Sequence, residues 1–125
     1  MTKILVYGTL RSGLSNHHYM NGCKLIGKGK TNEKYKMTAS GIPFVTNSEA
    51  LTRVVVEAYE VPDNLLPSVD GLEGYNANDH EGSWYKRTPI KATLDTGEEI
   101  DASIYFNDDE GSTLIETGDY EDYRR

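Results

Sequence analysis

Two stretches of this sequence hold residues that could do chemistry. The first centres on Glu73, which stands just before Gly74 at the end of a segment with Leu65, Val69 and Leu72 at i, i+4 and i+7, the spacing of one helix face. A carboxylate at a helix C-terminus lies against the negative pole of the macrodipole. Leu72, Tyr75 and Trp84 offer apolar surface that can desolvate it. Both effects raise a carboxyl pKa toward neutrality, as general acid–base work requires. On residue physics alone Glu73 also reads as a surface glutamate at a polar junction, and Asp70, three residues earlier, is a competing carboxylate. The second stretch is Val6-Tyr7-Gly8-Thr9-Leu10-Arg11. A β-prone run that stops at glycine leaves backbone N–H groups without ladder partners. Where they converge they form a concave site for a carboxylate or a developing oxyanion. Gly8 allows close approach and an unusual φ/ψ; the plainer reading is a turn out of the first strand.

The elements that must position these residues follow from local pattern. Lys3 to Tyr7 reads as strand one, and Leu14 to Met20 as one or two helical turns capped by Ser15 or Asn16. His17 and His18 are adjacent and do not share a helix face, so they make a poor chelating pair. Lys24 to Ser40, with Gly27 and Gly29, predicts one or two twisted strands with bulges. Gly41-Ile42-Pro43-Phe44 predicts a turn followed by a short apolar segment. Leu51 to Val61 is the clearest strand, apolar on both faces and therefore central. Asp63 is expected to cap the helix that carries Glu73, with Pro67 in its opening turns and Gly74 as its stop. Tyr75 to Ser83 is polar loop. Trp84 to Leu94 predicts a strand interrupted near Pro89, turned by Asp95-Thr96-Gly97 into a partner over Ile100 to Phe106. After the loop Asn107 to Gly111, a short terminal element folds over the sheet. The class is α+β, with a mixed sheet or small barrel and one or two short helices.

Composition narrows the function classes. The chain has 125 residues, the length of one ordinary domain over 1–125. The nine tyrosines, against two phenylalanines and one tryptophan, suit half-buried sheets and pocket walls. A net charge of −7 argues against nucleic acid and against an anionic membrane surface as partners. One cysteine, Cys23, leaves no internal disulfide and no thiolate metal site. With no apolar leader after Met1 and no run of ~18 apolar residues, a cytoplasmic setting is the expectation. The sequence does not fix an oligomeric state.

The Val6-to-Arg11 stretch resembles the Tyr-Gly-Ser/Thr-Leu signature of the gamma-glutamylcyclotransferase-like superfamily, and Asn16-His17 the Asn-His that follows it. Glu57-Ala58-Tyr59-Glu60-Val61 is similar to its central strand, and Val69-Asp70-Gly71-Leu72-Glu73-Gly74-Tyr75 to its Leu-Asp-x-x-Glu-Gly-Tyr segment. Tyr85-Lys86-Arg87, Ala102-Ser103-Ile104-Tyr105 and Thr117-Gly118-Asp119-Tyr120 complete the series, the last resembling the tail of the small avirulence-induced-gene-like branch. Val56 departs from the pattern, standing where a glycine is usual.

The resemblance implies a compact β-barrel-like α+β fold with one pocket that cyclises a γ-glutamyl amine or amide to 5-oxoproline. Glu73 corresponds to the acid–base glutamate. Tyr7, Gly8, Thr9 and Leu10 correspond to the loop whose N–H groups hold the glutamyl end, and Tyr85 and Tyr105 to pocket-wall positions. No metal or organic cofactor is implied. The same pocket used only to bind a small molecule is the alternative function.

Overall fold

The computed structural model describes residues 2–8, 10–11, 17–76 and 78–124. Five strands close a barrel in the order β1, β5, β2, β6, β7: β1 (Thr2–Val6), β2 (Lys24–Thr31), β5 (Val55–Val61), β6 (Tyr85–Leu94) and β7 (Glu99–Asn107). The ladders are antiparallel except the one that closes the barrel, where β1 runs parallel to β7 with Ile4 opposite Ser103. A second sheet stands beside it in the order β4 (Ile42–Thr46), β3 (Lys36–Ser40), β8 (Thr113–Leu114). The helices are short: one 3₁₀ turn at His17–Met20, α1 (Leu66–Leu72) and α2 (Tyr120–Arg124).

The core divides in two because β1 and β5 are buried on both faces. Leu5 and Tyr7 of the first segment join Val54, Val56 and Ala58 with Ile104 and Met37. Ile4 and Val6 point the other way and join Tyr59, Val61, Val69, Tyr85 and Tyr105 under α1. This is the period-two alternation expected of strands, and it confirms the central placement of the fifth strand. Val56 is fully buried in the first of these clusters.

Three local expectations are corrected. Asp63 does not cap α1: the N-cap is Leu65, without a side-chain cap bond, and the Pro62 carbonyl accepts from the Leu65 and Leu66 N–H groups at 2.9 and 3.1 Å. Pro67 is tolerated at the second helical position, where no intrahelical donor is needed. Pro89 does not interrupt β6, which is continuous and pairs with β7 throughout. Its other side pairs with β2 only from Ala92 to Leu94, so Pro89 removes no ladder bond there. Ile42 and Pro43 are the first residues of β4 rather than a turn. The reversal is confined to Gly41, at φ +78°, between the paired Ser40 and Ile42. Of the helical turns expected over Leu14 to Met20, His17–Met20 forms, while residues 14–16 lie outside the described residues.

Candidate active site

Glu73 is the C-cap residue of α1, and its backbone is fixed by the way that helix ends. Gly74 takes φ +67°, a conformation only glycine adopts freely. Its N–H donates to the Gly71 carbonyl at 3.1 Å, and the Tyr75 N–H reaches back to Asp70 at 2.8 Å. This pair of bonds is a Schellman motif. The Trp84 N–H donates to the Gly74 carbonyl at 3.2 Å, tying the helix end to the start of β6.

The Glu73 side chain lines a cavity of about 120 Å³. Leu5, Val6, Leu10 and Tyr105 form its buried floor. Tyr7, Gly8, Pro43, Leu72 and Tyr85 form its walls, and Ile42 and Trp84, which are 39% and 49% exposed, stand at its mouth. Gly8 supplies close approach rather than unusual dihedrals: its φ is not positive, and a Cβ there would lie 2.8 Å from Pro43 Cγ. The Arg11 N–H closes the turn onto the Gly8 carbonyl at 3.0 Å.

Burial pushes the Glu73 carboxyl from 4.5 up to about 7, with a smaller contribution from the charge of Asp70. Solvent reaches Glu73 through the mouth, so the residue is only half-buried, yet the protein packed around the carboxyl is dense enough to disfavour its charge. Among the described residues no hydrogen bond or ion pair holds it. Asp70 is the opposite case. It accepts from Arg87 Nη1 at 2.7 Å and from the Tyr105 hydroxyl at 2.6 Å, and the Arg87 guanidinium lies 5.0 Å over the Tyr75 ring. The two carboxyls that compete in the sequence are thereby sorted, one engaged and one free.

The three tyrosines that line the cavity are committed to the protein. Tyr7 donates to the Tyr105 carbonyl at 2.6 Å and Tyr85 to the Pro43 carbonyl at 2.7 Å. Burial first, and the Glu73 charge among the lesser causes, raises all three phenols well above their ordinary value. They stay protonated and fix the shape of the walls. Phe44 stacks on Tyr85 with centroids 6.0 Å apart. Among the described residues no group of three or more His, Cys, Asp or Glu is gathered to hold a metal ion, and no helix is long and apolar enough to cross a membrane.

The sequence profile described as "Gamma-glutamyl cyclotransferase, AIG2-like" matches residues 4–122. The chain belongs to that family. A protein of Methanocaldococcus jannaschii named "Putative gamma-glutamylcyclotransferase" is 42% identical over 99% of both chains. The Danio rerio protein named "Gamma-glutamylaminecyclotransferase C" is 30% identical over 82% of this chain and 72% of its own. The crystal structure of a mouse AIG2-like protein superposes with a TM-score of 0.76 at 24% identity, covering 96% of this chain and 88% of that one, which establishes the shared fold. This cyclotransferase-like enzyme thus has the α+β architecture that the resemblance implied.

Of the residues singled out in the sequence, the cavity gathers Glu73, Tyr7, Gly8, Leu10, Tyr85 and Tyr105; Thr9 lies outside the described residues. Sequence reasoning missed two features. One is the Ile42–Pro43 wall. The other is a buried charge cluster behind the loop: Arg11 Nη1 donates to Asp119 at 2.7 Å, Arg11 Nε stands 3.6 Å from Glu57, and Tyr59 donates to Glu57 at 2.9 Å. A Glu57 set between the apolar Val56 and Ala58 of the central strand was the available signal.

Proposed function

We propose that this protein is a gamma-glutamylcyclotransferase that closes a γ-glutamyl amine or amide to 5-oxoproline and frees the amine. The observation that carries the reading is a carboxyl poised near pH 7, without a hydrogen bond or ion pair among the described residues, in the same cavity as the Tyr7–Gly8–Leu10 turn. The glutamyl end enters the cavity. Its enclosed volume of about 120 Å³ is well below the roughly 300 Å³ of a site that engulfs a whole drug-sized ligand. The amine portion therefore projects through the mouth.

Glu73 takes a proton from the substrate α-ammonium. The freed amine attacks the γ-carbonyl, a ring closure favoured by high effective molarity once the attacking conformer is held. Backbone N–H groups of the segment from Tyr7 to Leu10 stabilise the tetrahedral oxyanion, an effect of roughly 3 kcal/mol per donor. The C–N bond to the leaving amine then breaks, and Glu73 returns the proton to that nitrogen. A second proton follows the same route from the ring nitrogen to the leaving nitrogen, so the two protons lost by the α-ammonium depart on the ammonium of the freed amine, and the carboxyl returns to its starting state.

The test is 5-oxoproline release from a panel of γ-glutamyl amides by wild type and Glu73→Gln. Turnover that drops about 10²- to 10⁴-fold in the variant, with the fold retained, supports the reading. Equal rates for the two proteins, or no release from any member of the panel, overturns it.

A further inference from the structure

The cavity takes only part of a substrate, so the surface around its mouth must meet the rest. Trp84 lines the cavity and is also 49% exposed, so one part of its ring system faces whatever leaves the mouth. Its indole N–H donates to Asp109 Oδ2 at 3.0 Å, which brings the exposed Asp109 carboxylate to the edge of the ring. The Asp109 charge reaches the wall as well, since it is among the causes that raise the Tyr85 phenol.

The neighbouring charges are otherwise engaged. Asp108 pairs with Lys86 at 3.2 Å, and Glu110 pairs at 2.6 Å with Lys36, which also faces Glu49. Arg87 is turned inward to Asp70. Among the described residues no cation pairs with Asp109. The mouth therefore presents an aromatic face, an unneutralised carboxylate, and no free ammonium or guanidinium on the strands that carry it. An aromatic face beside a carboxylate attracts a cation through the ring quadrupole and through charge. It repels a carboxylate.

We propose that this mouth is a subsite for a leaving amine that carries a second positive charge, as in the γ-glutamyl amide of a diamine or polyamine, and that it disfavours leaving amines that bear a carboxylate. The inference rests on the cyclotransferase reading and names the substrate class for the same site.

The test uses three substrates that share the glutamyl end and differ in the charge of the leaving end: γ-glutamyl-1,5-diaminopentane, γ-glutamyl-n-pentylamine and γ-glutamylglycine. The expected order of kcat/KM falls from cation to neutral to anion. The cation should be preferred over the neutral amide by roughly 3- to 10-fold, the scale of an exposed cation–π contact joined to an ion pair. The preference resides in KM and shrinks as salt is added. In Asp109→Asn the ratio of the cationic to the neutral substrate should fall toward one. A loss of the fold or of general activity lowers both rates together and does not move that ratio. A wild-type ratio near one, a preference for γ-glutamylglycine, or an Asp109→Asn ratio equal to wild type overturns the subsite while leaving the cyclotransferase reading intact. No turnover of any of the three overturns both.

Discussion

Replacing Glu73 with glutamine should make the folded protein more stable at neutral and alkaline pH while removing its activity. In the folded chain the Glu73 carboxyl holds its proton up to about pH 7, against 4.5 for the free group. Between those two values the folded state binds more protons than the unfolded state, so stability falls as pH rises across the window. The contribution is fully present below 4.5 and is lost once pH passes about 7. A displacement of that size corresponds to about 3 kcal/mol at ~1.4 kcal/mol per pH unit. Solvent entering through the mouth screens part of it, which leaves about 1–2 kcal/mol.

Glutamine keeps the shape and carries no charge to desolvate. Urea denaturation of both proteins at a series of pH values reads the difference directly. Above pH 7.5 the variant should be more stable by about 1–2 kcal/mol, a rise in Tm of roughly 3–8 °C. Below about pH 4.5, where the wild-type carboxyl is protonated in both states, the two curves should converge. A difference that is flat with pH, or a variant less stable at pH 8, refutes the claim that burial acts on this carboxyl. A buried carboxyl that weakens the fold above neutrality is the stability cost expected of an acid–base site.

Three further outcomes follow from the same geometry. The pH profile of kcat/KM for 5-oxoproline release should show an acid limb near 7, and Asp70→Asn should move it to lower pH. That substitution removes a like charge and leaves Arg87 nearby as an added cation, while the Asn carbonyl still accepts from Tyr105; an unmoved limb counts against it. Gly8→Ala should destabilise by about 1–3 kcal/mol through overpacking, because the new Cβ meets Pro43 Cγ at 2.8 Å. Adding Pro43→Ala should recover most of that loss in a double-mutant cycle. Arg11→Met should cost about 3–5 kcal/mol in chemical denaturation, the scale of removing one partner of a buried ion pair, because it takes away the hydrogen bond to Asp119 and the cation beside Glu57; a loss under about 1 kcal/mol counts against it.

Much of the fold was legible because its signals are local. The double-sided apolar pattern of the fifth strand, the Gly74 stop and the Asp95–Gly97 reversal each depend on residues within a few positions. The failures share a cause. Whether Pro43 or Pro89 breaks a strand depends on which of its sides has a partner, and partners are set by topology. Asp63 is a good capping residue in isolation, but the Pro62 carbonyl already takes the first two N–H groups of the helix start. Glu73 and the Gly8 turn were visible as a motif. The charge cluster that braces the turn was not, because Arg11 and Asp119 are 108 residues apart along the chain.

The assignment of roles to the two carboxyls shows what the third dimension adds. Asp70 and Glu73 stand three residues apart at the end of one short helix, which brings their side chains near each other. Nothing in that spacing says which should ionise. Arg87 and Tyr105, from β6 and β7, reach Asp70 and hold it as an ion-paired, hydrogen-bonded carboxylate. That charge, added to the burial of the cavity wall, discourages a second one next to it and leaves Glu73 with a proton that is easily exchanged near neutrality. A carboxyl raised by burial beside an ion-paired neighbour makes an acid–base centre without any unusual side chain. The barrel strands contribute by delivering a guanidinium and a phenol to one carboxyl and withholding both from the other.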